Sequence, residues 1–299
     1  MDNSQSLKER FEEALVTKDE GLLGQAIFRA AQKGDIEYVK KLYSAGADPF
    51  DYIYKDTELN SLGIALINNH LEVVDFFISR DPQMDKKDYV KNLAKELIAP
   101  DKNVEKQIKN KFQTFKNFYS YFEKDFERPA GLLDKAVKLE RSEIFHFLLV
   151  RNDIEWEQLN SWLEFVVATQ FEEIKSSIES FKVFKSIEGT VKHTSKSKYD
   201  DKADLSTHDL LNVKCQFGFD GLFFQVPQFV MGLFSHRAEE ILEKIHDQIN
   251  LQDVVFGKMT FEDILVRSQT RGLYTQVKTH SLLHKPFMKP KHKPLRRYS

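Results

Sequence analysis

The sequence predicts an all-α chain, and three observations carry the prediction. Apolar residues return at helical spacing through most of the 299 residues. Breakers are scarce, with 12 Gly and 8 Pro against 25 Phe, which suits packed helices better than a turn-rich sheet protein. One helix-turn-helix pattern returns about 35 residues on, Ala30 being answered by Ala65. A unit of that kind cannot bury its own apolar face, so it must stack on neighbours.

From the N-terminus, residues 6–18 read as a helix, with Leu7, Phe11, Ala14 and Leu15 on one face and Ser6 as its N-cap. Leu22 to Lys33 and Ile36 to Ala45 make the first helix pair. Gly34 permits the reversal between them, and Gly46 stops the second helix. The second pair runs from Thr57 to Arg80, where Asn69 replaces the turn glycine and tolerates the left-handed conformation. The span after it carries helical patterning of its own. There the series Phe112, Phe115, Phe118, Tyr119, Phe122 and Phe126 reads as a core stripe. Further units are expected at Leu132–Leu149 and Val166–Phe184, and a fainter one at Ser235–Ile245.

The run Ala30-Ala31-Gln32-Lys33-Gly34-Asp35-Ile36-Glu37-Tyr38-Val39, closed by Ala45-Gly46-Ala47-Asp48-Pro49, resembles the core of an ankyrin repeat. The segment Ala65 to Phe77 resembles a second, more worn one. The Thr-Pro-Leu-His tetrapeptide typical of the family is absent, which leaves another α-solenoid or a helical bundle open. The resemblance implies an ankyrin-like helical repeat solenoid and a protein partner held on a concave face. That face would be lined by loop tips and first helices. Asp48, Phe50, Asp51, Tyr52, Tyr54 and Lys55 occupy the loop after the first unit and are the expected partner-binding residues. The worn repeats and the composition rich in Lys, Asn, Ile and Phe resemble ankyrin-containing effectors of intracellular bacteria such as Legionella, which act inside host cells.

The organisation expected is a repeat region at 1–187, a polar linker at 188–207, a divergent C-terminal helical or hairpin region at 208–263, and a basic tail at 264–299. In the third segment Asp220-Gly221 between apolar runs signals a hairpin. It belongs either to an ankyrin-style β-loop or to a distinct module. The tail carries nine Lys and Arg and no acid, which leaves 35 Lys and Arg against 46 Asp and Glu in residues 1–263, a body charge of −11. Pro286, Pro290 and Pro294 predict an extended course from Lys278 to Ser299. Lys285, Lys289, Lys291, Lys293, Arg296 and Arg297 are its candidate contact residues. Nucleic acid or anionic lipid would be met there through charge, as partners secondary to protein.

Catalysis has one candidate. Cys215 is the single thiol, with His208 or His236 as its base. No protease signature surrounds it, and a small apolar residue is the plainer reading. An effector enzyme built on Cys215 is therefore the alternative to a binding protein, and a surface binder led by the tail is the other. The nine His and one Cys form no zinc motif, and no phosphate-binding glycine loop is present, so neither metal nor cofactor is expected. No apolar run reaches the ~20 residues of a membrane span, which excludes integral membrane association. The N-terminus lacks the apolar core of a signal peptide. A cytosolic, reducing compartment follows from the lone cysteine. An effector would then reach the host without a classical signal.

Overall fold

The computed structural model describes residues 7–53, 58–81, 85–100, 102–126, 130–194, 206–219, 221–235 and 237–284. Helix makes up 69% of it, so the all-α class holds, with four short strands added. Two compact units divide the chain at Leu148/Leu149.

The first unit holds α1 (Leu7–Thr17), α2 (Glu20–Lys33), α3 (Ile36–Ser44), α4 (Ser61–Ile67) and α5 (Leu71–Ile78). It continues with α6 (Lys86–Ile98), α7 (Lys102–Gln107), α8 (Lys111–Tyr121) and α9 (Ala130–Lys138). The next helix, α10 (Ser142–Arg151), crosses the boundary. Side-chain caps start many of these helices: Asp19 accepts from Leu22 N at 2.8 Å, Asn60 from Gly63 N at 2.9 Å, and Asn110 from Gln113 N at 2.9 Å.

The pairs α2–α3 and α4–α5 turn on the same corner. Gly34 sits at φ 75° and Asn69 at φ 64°. In each, the next residue's N–H donates five residues back, Asp35 to Ala30 O at 3.0 Å and His70 to Ala65 O at 2.9 Å. The corner returns at Glu140, φ 53°, between α9 and α10, where Arg141 N donates to Ala136 O at 2.8 Å. The residue after the left-handed position also ties units together. His70 Nε2 bonds the Gln32 carbonyl at 3.1 Å, and Arg141 Nε donates to the Ile98 carbonyl at 3.2 Å. Helix α2 packs on α3 and α4, α5 on α3 and α6, and α6 on α8 and α9. Ala30, Ala31 and Ala65 are fully buried, since close helix contact there leaves room only for a methyl. Phe115, Phe118 and Phe122 are core residues, with Tyr119 stacked on Phe126 at 4.6 Å.

The second unit contains α11 (Trp156–Thr169), α12 (Glu172–Thr194), α13 (Thr207–Asn212), β1 (Lys214–Phe219), β2 (Leu222–Pro227) and α14 (Gln228–Gly232). After these come α15 (Ala238–Ile245), β3 (Val254–Phe256), β4 (Met259–Thr260), α16 (Phe261–Arg267) and α17 (Arg271–His284). The strands form two separate antiparallel pairs. The expected hairpin is β1–β2, with Cys215 opposite Val226 and Phe217 opposite Phe224. That face packs on a core that includes Phe184, Phe229, Ile241, Phe256 and Phe261. The left-handed corner appears twice more. Gln170, φ 60°, joins α11 to α12, and Gln269, φ 60°, joins α16 to α17. Phe171 N reaches Val166 O and Thr270 N reaches Leu265 O, each at 3.0 Å.

Three expectations about chain organisation change. The faint unit at Ser235–Ile245 has its helix, α15. Among the described residues of 233–237, however, none takes the left-handed corner, and Ser235 bridges the Gly232 carbonyl and Arg237 N instead. Residues 188–194 of the expected linker are helical, because α12 runs on to Thr194, and Arg267 holds Glu188 at 3.1 Å. Residues 195–205 lie outside the described residues. The tail expected from 264 begins as structure: α16 and α17 form a helix pair across that point, and the extended course expected from Lys278 is helical as far as His284. Leu273, Tyr274 and Val277 pack on the core at helical spacing, whereas the prolines start only at Pro286.

Candidate functional site

The loop after α3 leads into two adjoining depressions of the first unit. Asp48 Oδ1 accepts from Phe50 N at 2.7 Å, a turn that sends the chain back toward α4. Asp48, Phe50 and Asp51 then line a depression of about 710 Å³, closed by Tyr43, Arg80 and Tyr89. Asp81 stands in its wall, and Arg80 lies over the Phe76 ring at 5.2 Å.

A second groove of about 720 Å³ shares Asp81 and Tyr89 with the first. Its floor is apolar: Leu62 and Leu66 come from α4, Leu93 and Leu97 from α6. Both pairs are spaced by four, which puts each on one helix face. Gly63, Asn60 and Asn92 complete the sides, and Ile53, 59% exposed, stands at the rim. Grooves of this size with an apolar floor and a few polar groups suit a small ligand or a short chain segment.

The described lining is mainly acidic. Among the described residues lining the two depressions, the charged side chains are Asp48, Asp51, Glu58, Asp81 and Glu96 against Arg80. The Tyr89 phenol feels this field. Burial raises its pKa above the ordinary tyrosine value, and the carboxylates of Asp81 and Glu96 raise it further by disfavouring a phenolate.

The expected loop residues divide. Asp48, Phe50 and Asp51 come together in the first depression. Tyr52 packs inward: its ring meets Phe28 edge-on at 6.1 Å, and its Cβ lies 3.0 Å from where a Cβ on Gly24 would be. Its work is holding the loop on α2. Tyr54 and Lys55 lie outside the described residues, as do His236 and the tail residues Lys285, Lys289, Lys291, Lys293, Arg296 and Arg297. The sequence reading missed Ile53, Tyr89, Asn92 and Glu96. Tyr89 lies at helical spacing with Leu93 and Leu97, a pattern that signals packing rather than a groove wall.

In the second unit Cys215 faces the core side of the hairpin, half-buried opposite Val226. His208, on α13, is 80% exposed and points its Nδ1 to Asp209 Oδ1 at 3.7 Å. Among the described residues no hydrogen bond joins Cys215 to His208. Among the described residues no group of three or more His, Cys, Asp or Glu is arranged to hold a metal ion. Nor is any helix long and apolar enough to cross a membrane. Comparison with known protein families, with curated proteins and with solved structures gives no match for this chain.

Proposed function

We propose that residues 1–148 are an ankyrin-like repeat scaffold that binds a protein partner, with the groove between α4 and α6 as the contact surface. The observation that carries the reading is that groove, with Ile53 59% exposed at its mouth above leucines that are themselves only 3–6% exposed. An exposed branched apolar side chain at the mouth of a groove is what a partner's contact would cover. The recurrent corners at Gly34, Asn69 and Glu140 support the repeat reading, because they set successive helix pairs side by side. A host protein is the partner proposed, on the resemblance of the composition to bacterial effectors. The lone cysteine fits action in a reducing compartment.

The test is a partner capture from host lysate with the full chain and two variants. Ile53→Ser removes the exposed anchor, and Asn92→Arg fills the groove from an exposed helix position. Both should leave the melting temperature nearly unchanged and abolish capture of a partner bound by the parent chain. Retention of that partner by both variants would move the contact surface elsewhere.

A further inference from the structure

In the β1–β2 hairpin of the second unit, Pro227 has no N–H, and Gln228 N donates to the Val213 carbonyl at 2.9 Å. Lys214 and Pro227 therefore face each other without exchanging hydrogen bonds. The bonded pairs are Cys215–Val226, Phe217–Phe224 and Phe219–Leu222. The backbone N–H and C=O groups of Lys214, Gln216 and Gly218 consequently point away from β2. Among the described residues the sheet has two strands and ends at β1, and no backbone hydrogen bond reaches Lys214 or Gln216 from the far side. Both residues are exposed, and Cys215 and Phe217, on the face turned to the core, are only half-buried.

A strand edge offers backbone bonds to any extended chain, so its side chains decide the partner. Those of β1 are complementary to a second copy of themselves. An antiparallel two-fold centred on Gln216 sets Gln216 opposite its own copy and Lys214 opposite Gly218. All the outward residues then fall in bonded pairs, about six hydrogen bonds in total. Lys214 is the strand's single charge, and it meets a residue without a side chain rather than a like charge. On the core-facing side Cys215 comes opposite the second copy's Phe217, small against large, once on each side of the axis. On the outer face Gln216 already stands opposite Gln225, so the pairing extends one row of amides across four strands. We infer that β1 is a self-association edge: two copies of this chain pair antiparallel through residues 214–218, centred on Gln216, into one four-stranded sheet. The inference concerns the second unit and is independent of the groove in the first.

Sedimentation equilibrium of the full chain tests this, with the parent, Gln216→Lys, Gln216→Glu and an equimolar mixture of the two variants. The parent should rise from the 35.0 kDa monomer to twice that mass as its concentration is raised through the micromolar range. Each variant alone sets two like charges opposite one another on the two-fold axis. Its dissociation constant should be higher than the parent's by roughly fivefold or more. The mixture sets Lys against Glu and should restore association, most strongly at low salt. Gln216 is exposed and its backbone groups take no part in the bonds to β2, so circular dichroism melts of both variants should match the parent. A parent that stays monomeric overturns the inference, and so does a dimer indifferent to both charges. A mixture that associates no more tightly than either variant alone overturns the two-fold pairing at Gln216.

Discussion

Arg267 should be among the costliest single residues to remove from the second unit. Its side chain is 13% exposed, and its guanidinium sits over the Phe181 ring at 5.6 Å. Nε donates to Glu188 Oε2 at 3.1 Å, Nη1 to the Asn152 carbonyl at 3.1 Å, and Nη2 to Asp153 Oδ1 at 3.3 Å. These bonds tie α16 to α12 and to the turn before α11. The partners are not equal in worth. Glu188 is also 13% exposed, so Arg267→Ala withdraws the guanidinium from a largely desolvated carboxylate, a loss of about 3–5 kcal/mol. Asp153 is 80% exposed, and its share is below about 1 kcal/mol. Partial solvation places the expected total near the lower bound, about 3 kcal/mol. The chain's two tryptophans, Trp156 and Trp162, both lie on α11, so urea unfolding followed by tryptophan fluorescence reports on this unit. Arg267→Ala should lower its stability by about 3 kcal/mol, and Asp153→Asn by less than about 1. The double change Arg267→Met with Glu188→Met should recover much of the loss, because apolar groups of similar length replace both charges. An Arg267→Ala effect no larger than that of Asp153→Asn would show that the network is solvated and that the argument from burial fails.

Acid should weaken the same unit through Asp153. Burial alone would raise its pKa, but Lys185 and Arg267 outweigh it and hold the carboxyl below its usual value. The depressed folded value means that the contribution is complete above the unfolded pKa of ~3.9 and is lost as pH falls through the lower folded one. Glu240 follows the same sign, lowered to about 2 by hydrogen bonds from Arg237 and Lys244. Tryptophan-monitored stability should therefore decline below pH ~4, and less steeply in Asp153→Asn. In the first unit, Gly34→Ala should cost more than the ~1–2 kcal/mol of a left-handed alanine, because the new Cβ would fall 2.4 Å from His70 Nδ1. Part of that cost should return in a His70→Ala background, and equal losses in both backgrounds would place the strain in the backbone alone. Gln170→Gly and Gln269→Gly, at exposed left-handed positions, should be neutral or stabilise by up to about 1 kcal/mol, since backbone relief exceeds the entropy of glycine. A clear loss in the same urea assay would mean that those side chains do more than turn a corner.

The candidate site is half legible in the sequence. Asp48, Phe50 and Asp51 can be found because a loop closing a helix pair has a local signature, Gly-Ala-Asp-Pro, and because the resemblance says where such loops point. The wall supplied by α6 has no such signature. That helix buries Val90, Leu93, Ala94, Leu97 and Ile98, and the periodicity records only this burial. Tyr89, Asn92 and Glu96 flank the buried stripe, where a sequence shows ordinary polar positions. They line a groove only because α4 and α6 stand on either side of it, and the placement of one helix against another is not written in either one. Tyr52 departs in the opposite sense. Its type and its loop suggest contact, yet Gly24 and Phe28 on α2 offer a seat that draws the ring inward.

The corners show where the legibility of the fold ends, and why. The same backbone turn occurs five times among the described residues, at Gly34, Asn69, Glu140, Gln170 and Gln269. Only the first carries glycine, the residue that adopts this conformation without strain, and it is the easiest to read. Asn69 is the next most tolerant residue, and it too is legible as a turn. At Glu140, Gln170 and Gln269 the left-handed backbone costs on the order of 1–2 kcal/mol that local sequence does nothing to offset. The offset comes from burial of residues on both sides of the turn: Leu133 and Ile144 around Glu140, Val166 and Ile174 around Gln170, Leu265 and Tyr274 around Gln269. A few such buried side chains are worth more than the strain at one position. The fainter Ser235–Ile245 unit stands out in the sequence because its Glu-Ile pair matches a side-chain pattern, and there the corner is replaced by a serine turn. The Gln269 corner does not stand out, because its αL residue is Gln and its second helix begins inside a stretch with the composition of a basic tail. In this chain the turn is specified by the apolar residues on either side of it, so the recurrence is carried by packing and only in part by turn chemistry.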